Sequence, residues 1–324
     1  MPNMSSALEQ RATSHGWQHH SLLVLFTGLW GANFVLADMA LREMTPIAFS
    51  VARFVMGFFG MFAILVLQGG AGHGRFRLFP AIARADRLRL LLVSVLGATL
   101  APWLGIEGLA LSTGARASLW LALGPVMSVA IGLLLRTEHI GKFGYVGVAL
   151  AGLGTIALAL DGFRSESGYW EGDLLLFLAL LAAVAELHYI KPLAFRYGAT
   201  PVVTARTAIG CVLYVLIASP SFVGQAWLSF GLWTWIAILA GGAVGIGVGQ
   251  WVKIRALEAL GPTRVIIYGN LVPVSALVLA WLALGTAPTL LEYVAAVLIV
   301  VGAVSLEVFD SYKPRGLTTT EGAM

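Results

Sequence analysis

The segment RASLWLALGP (116–125) has a counterpart in RVIIYGNLVP (264–273), 148 positions further along the chain. Both segments begin with Arg and end with Pro. The same offset aligns four further pairs: Trp103 with Trp251, Trp120 with Tyr268, Tyr145 with Tyr293, and Gly154 with Gly302. Agreement of Arg, Pro, Trp and Gly at one offset indicates an internal duplication and predicts a fold built from two related halves.

The amino-acid composition predicts whether water or lipid surrounds the two halves. Of the 324 residues, 59% are hydrophobic and only 11% are charged, and the mean hydropathy is +0.87. A water-soluble domain carries about 25% charged residues. So few charges cannot cover a soluble protein of this length, which excludes a soluble enzyme, a disordered chain and a DNA-binding domain. The lipid bilayer is therefore predicted to be the solvent for most of the chain.

Ten apolar segments approach the length of about 20 residues that a membrane-spanning helix needs. They are 21–41, 47–68, 88–110, 115–135, 142–160, 172–191, 201–219, 232–253, 264–284 and 289–308. We predict an all-α integral membrane protein whose ten transmembrane helices form two inverted five-helix repeats, 21–160 and 172–308, with tails 1–20 and 309–324. Because five is odd, the repeats insert with opposite topology, as in alternating-access transporters with a site near the midplane.

The basic residues predict the orientation. With the N-terminus inside, fifteen of the twenty Lys and Arg residues fall on inner segments, and the outer segment 161–173 is acidic. This bias predicts a multi-pass protein of the cell (inner or plasma) membrane with both tails cytoplasmic. It also explains the pI of about 9.4 without a nucleic-acid partner.

No motif predicts an enzyme or a cofactor. The glycine-rich segment GGAGHGR (69–75) lacks the Gly-Lys-Ser/Thr ending of a phosphate-binding loop, and neither HExxH nor GxSxG occurs. Cys211 is the single cysteine, which excludes an intrachain disulfide and a Cys-rich metal site. We therefore predict no enzymatic activity, no cofactor and no bound metal.

Several motifs resemble those of the drug/metabolite transporter superfamily, EamA type, over nearly the whole chain. They are LWGANF (29–34), Arg53, LGPV (123–126), Glu138, Gly172-Asp173, Arg206 and VPV (272–274). Two departures are Gly285-Thr286, where the family often has Gly-Glu, and the pair Glu186 and His188 in a stretch of span 6 that is more often neutral. The resemblance implies ten helices in two EamA repeats and export of small metabolites or amino acids.

Ten residues inside the spans are candidates for contact with a small-molecule substrate, because polar and aromatic groups there tend to face the bundle interior. They are Trp30, Asn33, Trp103, Trp120, Glu186, His188, Gln250, Trp251, Tyr268 and Asn270. We expect Trp103 and Trp120 to form an aromatic layer in the outer half of the cavity, and Trp251 and Tyr268 the inverted layer in the inner half. Packing or lipid contact is the alternative for these four, and helix–helix contact is the alternative for the polar residues.

Glu186 and His188 are also candidates for carrying a coupling proton, since a buried acid or a histidine can titrate near neutrality. The alternative is an internal salt bridge or hydrogen bond to Arg206 or Lys191. Arg53 and Arg206 are expected to fix helix positions rather than to bind substrate.

The sequence thus predicts a secondary-active transporter that exports small metabolites or amino acids by alternating access. A passive channel or facilitator for small solutes, and a lipid flippase, are the alternatives. The expected partners are the lipid bilayer, a small-molecule substrate and, as a candidate coupling ion, the proton.

Overall fold

The computed structural model describes residues 21, 24–25, 27–70, 82–134, 142–164, 168–249, 271–285 and 287–309. These residues form helices joined by short turns, and no strand occurs among them. Each of the ten predicted spans contains a helix within these ranges. The all-α fold is confirmed, while the number of helices that cross the membrane stays a prediction.

The first repeat contributes α1 (27–40), α2 (Pro46–Gly70), α3 (Arg84–Ala110), α4 (Gly114–Ala122), α5 (Gly124–Leu134) and α6 (Lys142–Arg164). The second contributes α7 (Trp170–Tyr197), α8 (Ala199–Val223), α9 (Leu232–Val248), α10 (Val272–Leu284) and α11 (Leu290–Phe309). The helices α4 and α5 are the two halves of predicted span 4. They separate at Leu123, because Pro125 has no N–H to donate to the carbonyl four residues earlier.

Two helices depart from α geometry in matching places. In α3, Leu96–Leu100 form a π-helical segment just before Pro102, which cannot donate a backbone hydrogen bond. In α9, Ala240–Val248 form a longer π segment along a glycine-rich stretch. Residues 96–100 align with 244–248 at the offset of 148, so both repeats carry this irregularity in their third span.

Both described ends of the predicted outer segment 161–173 are helical, which corrects the bounds predicted for spans 5 (142–160) and 6 (172–191). The helix α6 continues to Arg164, and α7 already begins at Trp170. Asp161 and Asp173 can lie inside helices because Arg116 neutralises part of their charge.

Helices from equivalent spans of the two repeats pack on each other: α2 with α8 (spans 2 and 7), α4 with α10 (spans 4 and 9), and α6 with α11 (spans 5 and 10). In the last pair, Gly154 lies against Ile299 of α11, and Gly302 lies against Ala151 of α6. A shift of 148 positions converts one contact into the other, as a two-fold relation between the repeats requires. The match of Gly154 with Gly302 in the sequence is therefore a reciprocal contact in the structure.

Each repeat also places one helix in the other repeat. The helix α9 packs on α1 and α2, and α3 packs on α7 and α8. Gly57 of α2 meets Ile246 of α9, and Gly210 of α8 meets Ala98 of α3, at distances that leave no room for a methyl group. We call α1, α2 and α9 the first bundle, and α3, α7 and α8 the second bundle. The two bundles meet along α2 and α8.

The helix surfaces suit a lipid solvent. By length and composition, three described segments can cross a membrane: Pro46–Ile64, Arg84–Ala110 and Gly144–Arg164. Four shorter apolar segments are Pro201–Ile217, Leu232–Val248, Val272–Leu284 and Leu290–Ser305. Large apolar side chains such as Leu216 and Val297 are exposed on the outside of the helices. An exposed apolar surface of this kind fits contact with acyl chains.

Candidate functional site

The direction of the chain defines two ends of the fold. The corner 41–45 joins α1 to α2, and α2 then runs to the far end, where α3 begins at Arg84. We call the end that holds the corner 41–45 the Glu43 face, and the end that holds the start of α3 the Asp86 face. The helix α4 begins at the Glu43 face and α8 begins at the Asp86 face.

Arg53 is a buried cation inside the first bundle. It lies seven residues after the start of α2, about 10 Å from the Glu43 face at 1.5 Å per residue, and only 8% of its surface is exposed. Its Nη2 donates a hydrogen bond to Oδ1 of Asn33 at 3.2 Å, and its guanidinium lies 5.0 Å from the ring centroid of Phe49. Its Nε faces Gly241 and has no hydrogen-bond acceptor in the described part of the chain. Among the ion pairs of the described residues, none involves Arg53.

Arg206 holds the equivalent place in the second bundle. It lies seven residues after the start of α8, and its Nε is 2.9 Å from Oε1 of Glu186 in α7. Both side chains are largely buried, and the contact is an ion pair rather than a well-aligned hydrogen bond. Glu186 therefore supplies a counter-charge to Arg206, which corresponds to the salt-bridge alternative for this residue.

The two arginine sites are built from equivalent residues. An offset of 153 relates the two arginines, and it also relates Asn33 to Glu186. Each site is faced by a glycine in the π segment that comes from the other repeat: Gly245 beside Asn33, and Gly97 beside Glu186. These two glycines are themselves related by the offset of 148. The sites differ in charge, since an amide stands where the second repeat has a carboxylate. They also differ in packing, since Phe49 and Gly241 at the Arg53 site correspond to valines at positions 202 and 93.

Arg116 connects both repeats at the Glu43 face. Its fully buried guanidinium donates to Asp161 of α6 at 2.6 Å, to Asp173 of α7 at 2.5 Å and to Glu292 of α11 at 3.4 Å. The carbonyl oxygen of Leu158 accepts a further hydrogen bond at 2.6 Å. We call Arg116 and these three acidic side chains the Arg116 cluster. The cluster fixes the start of α4 against helices of both repeats.

The two tryptophans expected to gate the cavity lie in different settings. Trp120 is buried and donates from Nε1 to Oδ1 of Asp173 at 3.0 Å, so it belongs to the Arg116 cluster. Trp103 is half-buried and donates to Glu107, one turn further along α3, at 3.1 Å. The two rings pack in separate apolar clusters. Their part in gating stays a prediction.

Of the other predicted site residues, Trp30 is half-buried one turn before Asn33 in α1. His188 lies in α7, with its side chain outside the described part of the structure. Gln250, Trp251, Tyr268 and Asn270 lie outside the described residues. The structure therefore joins Asn33 to Arg53 and Glu186 to Arg206, two arginines that the sequence assigned to helix positioning. The offset that relates both arginines was the available signal, because it also relates Asn33 to Glu186.

The helix corners at the two faces form matching polar contacts. Glu43 accepts hydrogen bonds from the hydroxyl of Thr234 at 2.7 Å and from the N–H of Gly231 at 2.8 Å. Asp86 accepts a hydrogen bond from Arg196 at 2.6 Å. The two offsets relate Glu43 to Arg196 and Thr234 to Asp86. The two contacts are therefore equivalent, but the acidic residue of one contact occupies the position that is not acidic in the other. The Thr234 hydroxyl, followed by the Gly231 N–H, holds the pKa of Glu43 below its ordinary value.

Comparison with known proteins agrees with this architecture. The EamA-like transporter family matches twice, over residues 20–160 and 170–307. A Bacillus subtilis (strain 168) protein described as "Uncharacterized transporter YdfC" is 25% identical over 291 residues, which cover 87% of this chain and 88% of that protein. A crystal structure, described only as that of a protein, shares the fold with a TM-score of 0.62 at 19% identity, over 89% of this chain and 96% of the other.

The family matches confirm the resemblance seen in the sequence and the architecture of two repeats. The YdfC match extends over nearly the same length as the two family matches together. A transporter family implies a bilayer environment and a small-molecule substrate, and it excludes an enzyme. This chain belongs to the EamA-like transporter family and is an integral membrane transporter.

Proposed function

We propose that the protein is a secondary-active transporter that exports small metabolites or amino acids across the cell membrane by alternating access. The observation that carries the proposal is the exchange of α3 and α9 between the repeats, which produces two equivalent bundles. Bundles of like construction and opposite direction supply two conformations of similar free energy, one open to each side.

Contacts within each bundle differ from contacts between the bundles. Within the bundles, glycines allow close packing, and the Glu43 and Asp86 corners add hydrogen bonds at opposite faces. Between the bundles, the rings of Phe54 in α2 and Tyr214 in α8 have centroids 4.9 Å apart, and one exposed hydrogen bond joins Gln225 to Thr45 at 3.0 Å. This distribution favours motion of each bundle as one body, with the α2–α8 contact as the surface along which they shift.

The start of α4 joins the two bundles at the Glu43 face. The N–H of Gly114 donates to Asp38 of the first bundle at 3.3 Å, and Arg116 binds Asp173 of the second bundle. We propose that these bonds close this face and that it is the external one, with both tails in the cytoplasm. Trp120→Ala, which removes the bond to Asp173, is then expected to raise the accessibility of the cavity from outside.

Orientation is tested with single cysteines at positions 167 and 311 in a Cys211→Ser background. A membrane-impermeant thiol reagent applied to intact cells is expected to label Ser167→Cys and to leave Ser311→Cys unlabelled. The reverse pattern would contradict the proposed orientation.

Alternating access is tested by counterflow in proteoliposomes preloaded with amino acids one at a time. A carrier shows saturable uptake of the labelled amino acid that depends on unlabelled amino acid on the other side. Flux that rises linearly with the gradient and shows no counterflow would indicate a channel. Turnover of labelled lipid without solute flux would indicate a flippase, and either result would overturn the proposal.

The proton is proposed as the coupling ion. In the same vesicles, an imposed pH gradient is expected to drive accumulation of the labelled substrate above its equilibrium level. Accumulation that is unchanged after the gradient is collapsed with a protonophore would reject proton coupling, and would leave the carrier mechanism in place.

A further inference from the structure

We infer that the first bundle holds a binding site for the carboxylate of the transported substrate, formed by Arg53 and Asn33 beside Gly245. The inference rests on the proposed transport function and adds to it the chemical class of the substrate. It starts from the charge difference between two sites whose arginines, facing side chains and π-segment glycines are related by the two offsets.

Among the described residues, Arg53 has no counter-charge, whereas its equivalent Arg206 does. A guanidinium inside a membrane protein is unfavourable unless it is paired. Arg206 meets the carboxylate of Glu186, whereas Arg53 meets the neutral oxygen of Asn33 and the face of Phe49. A buried cation without a counter-charge is stabilised by an anion that binds to it. Carboxylates are the natural partner of a guanidinium, because the two planar groups form parallel hydrogen bonds.

Donors at the Arg53 site are available for such an anion. Since a guanidinium only donates, the amide of Asn33 must turn Oδ1 towards Arg53, and its Nδ2 points elsewhere. No hydrogen bond from Nδ2 of Asn33 is found among the described residues. Nε of Arg53 also has no acceptor there. Nε of Arg53 lies beside Gly241 and Nδ2 of Asn33 lies beside Gly245, so unmet donors from both side chains face one turn of α9.

The second bundle shows the room that a carboxylate needs at this place. A methyl group built on Gly97 would overlap the carboxyl group of Glu186. The same methyl group built on the equivalent Gly245 would stand 3.7 Å from its nearest neighbour, Oδ1 of Asn33, which is ordinary van der Waals contact. Asn is one methylene shorter than Glu. Its shorter side chain leaves space beside Gly245 where the second bundle holds a carboxyl group.

The two arginine sites thus provide an internal comparison. Glu186 on Arg206 is a carboxylate supplied by the chain itself, and the space beside Asn33 takes a carboxylate supplied by the substrate. A cationic or amide-bearing molecule finds no favourable charge at Arg53. The site therefore selects monocarboxylates, among them amino acids, over their amides and amines.

Binding is measured by the melting temperature of the purified full-length protein in detergent. The probes are the twenty L-amino acids and the straight-chain monocarboxylates from acetate to hexanoate, with leucinamide, phenylalaninamide and hexanamide as matched probes without a carboxylate. We expect at least one carboxylate to raise the melting temperature, and its amide to bind at least tenfold more weakly. A panel that produces no shift, or acids and amides of equal affinity, would overturn the inference.

Asn33→Glu is the deciding variant, because it places in the first bundle the carboxylate that the second bundle already has. It is expected to remain folded and to lose the shift caused by the carboxylate probe, with affinity reduced at least a hundredfold. Arg53→Gln is expected to lose the shift as well, and Glu43→Gln, on the same bundle, serves as the control that keeps it. An undiminished shift in a folded Asn33→Glu protein would contradict the assignment.

The counterflow assay separates this inference from the proposed function. Saturable counterflow of a substrate in wild-type protein, undiminished in Asn33→Glu, would reject the carboxylate site and leave the carrier mechanism standing. Carboxylate binding that needs Arg53 without any counterflow would retain the site and reject the carrier.

Discussion

Arg53 and Arg206 lie at equivalent points of two equivalent bundles, yet in the part of the chain that the structure describes only Arg206 has a carboxylate within reach. A glycine of a π segment faces each site. Charge is not matched, because Asn33 replaces the equivalent of Glu186. The comparison teaches that the duplicated fold retains the positions that allow close packing, while the charge balance at one of those positions differs between the halves.

The contacts at the helix corners also differ in charge between the two bundles. Asp86 binds a cation, Arg196, whereas the equivalent contact joins Glu43 to the neutral Thr234. In both comparisons the charge is balanced in the second bundle and unbalanced in the first. The first bundle is therefore the part of the molecule where a counter-charge added at the buried arginine should have the clearer effect.

The largest effect is expected from Glu186→Gln, which turns the paired site into an unpaired one. Removal of one partner from a buried ion pair leaves an uncompensated charge, so we expect a loss of about 3 kcal/mol of stability. Asn33→Ala is the matched variant in the first bundle and removes one hydrogen bond, for a loss of about 1 kcal/mol. Melting temperatures in detergent measure both. Equal decreases would show that the two arginines are compensated alike.

A smaller difference is expected between Gly97→Ala and Gly245→Ala. The first places a methyl group into the carboxyl of Glu186 and forces the ion pair to shift, at about 1–3 kcal/mol. The second adds a methyl group at ordinary contact distance from Asn33 and should change stability by less than about 0.5 kcal/mol. The same melting experiment decides, and a larger loss in Gly245→Ala would mean that the space beside Asn33 is absent.

The corners should respond differently to salt. Arg196 is exposed and its attraction to Asp86 is screened by added ions, so Asp86→Asn is expected to lower the melting temperature slightly at low salt and less at high salt. Glu43→Gln replaces a contact with neutral donors, and its small effect should stay the same across the salt series. Parallel salt responses of the two variants would remove the distinction between the corners.

The smallest effect concerns the pH dependence of the Glu43 corner. Because hydrogen bonds from Thr234 and Gly231 lower the pKa of Glu43 in the folded protein, this contribution to stability is present above the ordinary value of 4.5 and is lost as the pH falls through the lower folded value. Thr234→Val removes the larger of the two causes. The variant should therefore lose less stability than wild type between pH 5 and about pH 3, as measured by melting temperature. An identical acid response would show that Thr234 does not act on Glu43.

Much of the fold could be predicted from the sequence, because apolar length and charge content decide which segments are buried in lipid and one offset relates the halves. The π segments of α3 and α9 could not, since a shift of backbone hydrogen bonds leaves the hydrophobic pattern unchanged. The helical ends around Asp161 and Asp173 were also missed. Two acidic residues in the sequence favour a loop, because the sequence does not show that Arg116 binds them both.

The candidate site was less accessible to sequence reasoning. The ion pair between Glu186 and Arg206 was one of two alternatives for Glu186, and the structure shows that contact. Whether Arg53 meets a counter-charge depends on which residues of α9 pack against α2. This is a tertiary contact, and no local sequence pattern predicts it. The offset of 153 relates Asn33 to Glu186, but the structure was needed to show that, among the described residues, Arg206 meets a carboxylate and Arg53 meets an amide.

The most direct test of the unbalanced charge at Arg53 needs no ligand. In Asn33→Glu the first bundle gains the carboxylate that the second bundle has, so a buried cation acquires its counter-charge and the melting temperature should rise above that of wild type. Asn33→Gln, of the same length without charge, should show no rise. A melting temperature of Asn33→Glu at or below that of Asn33→Gln would mean that Arg53 is already compensated, and would contradict the account.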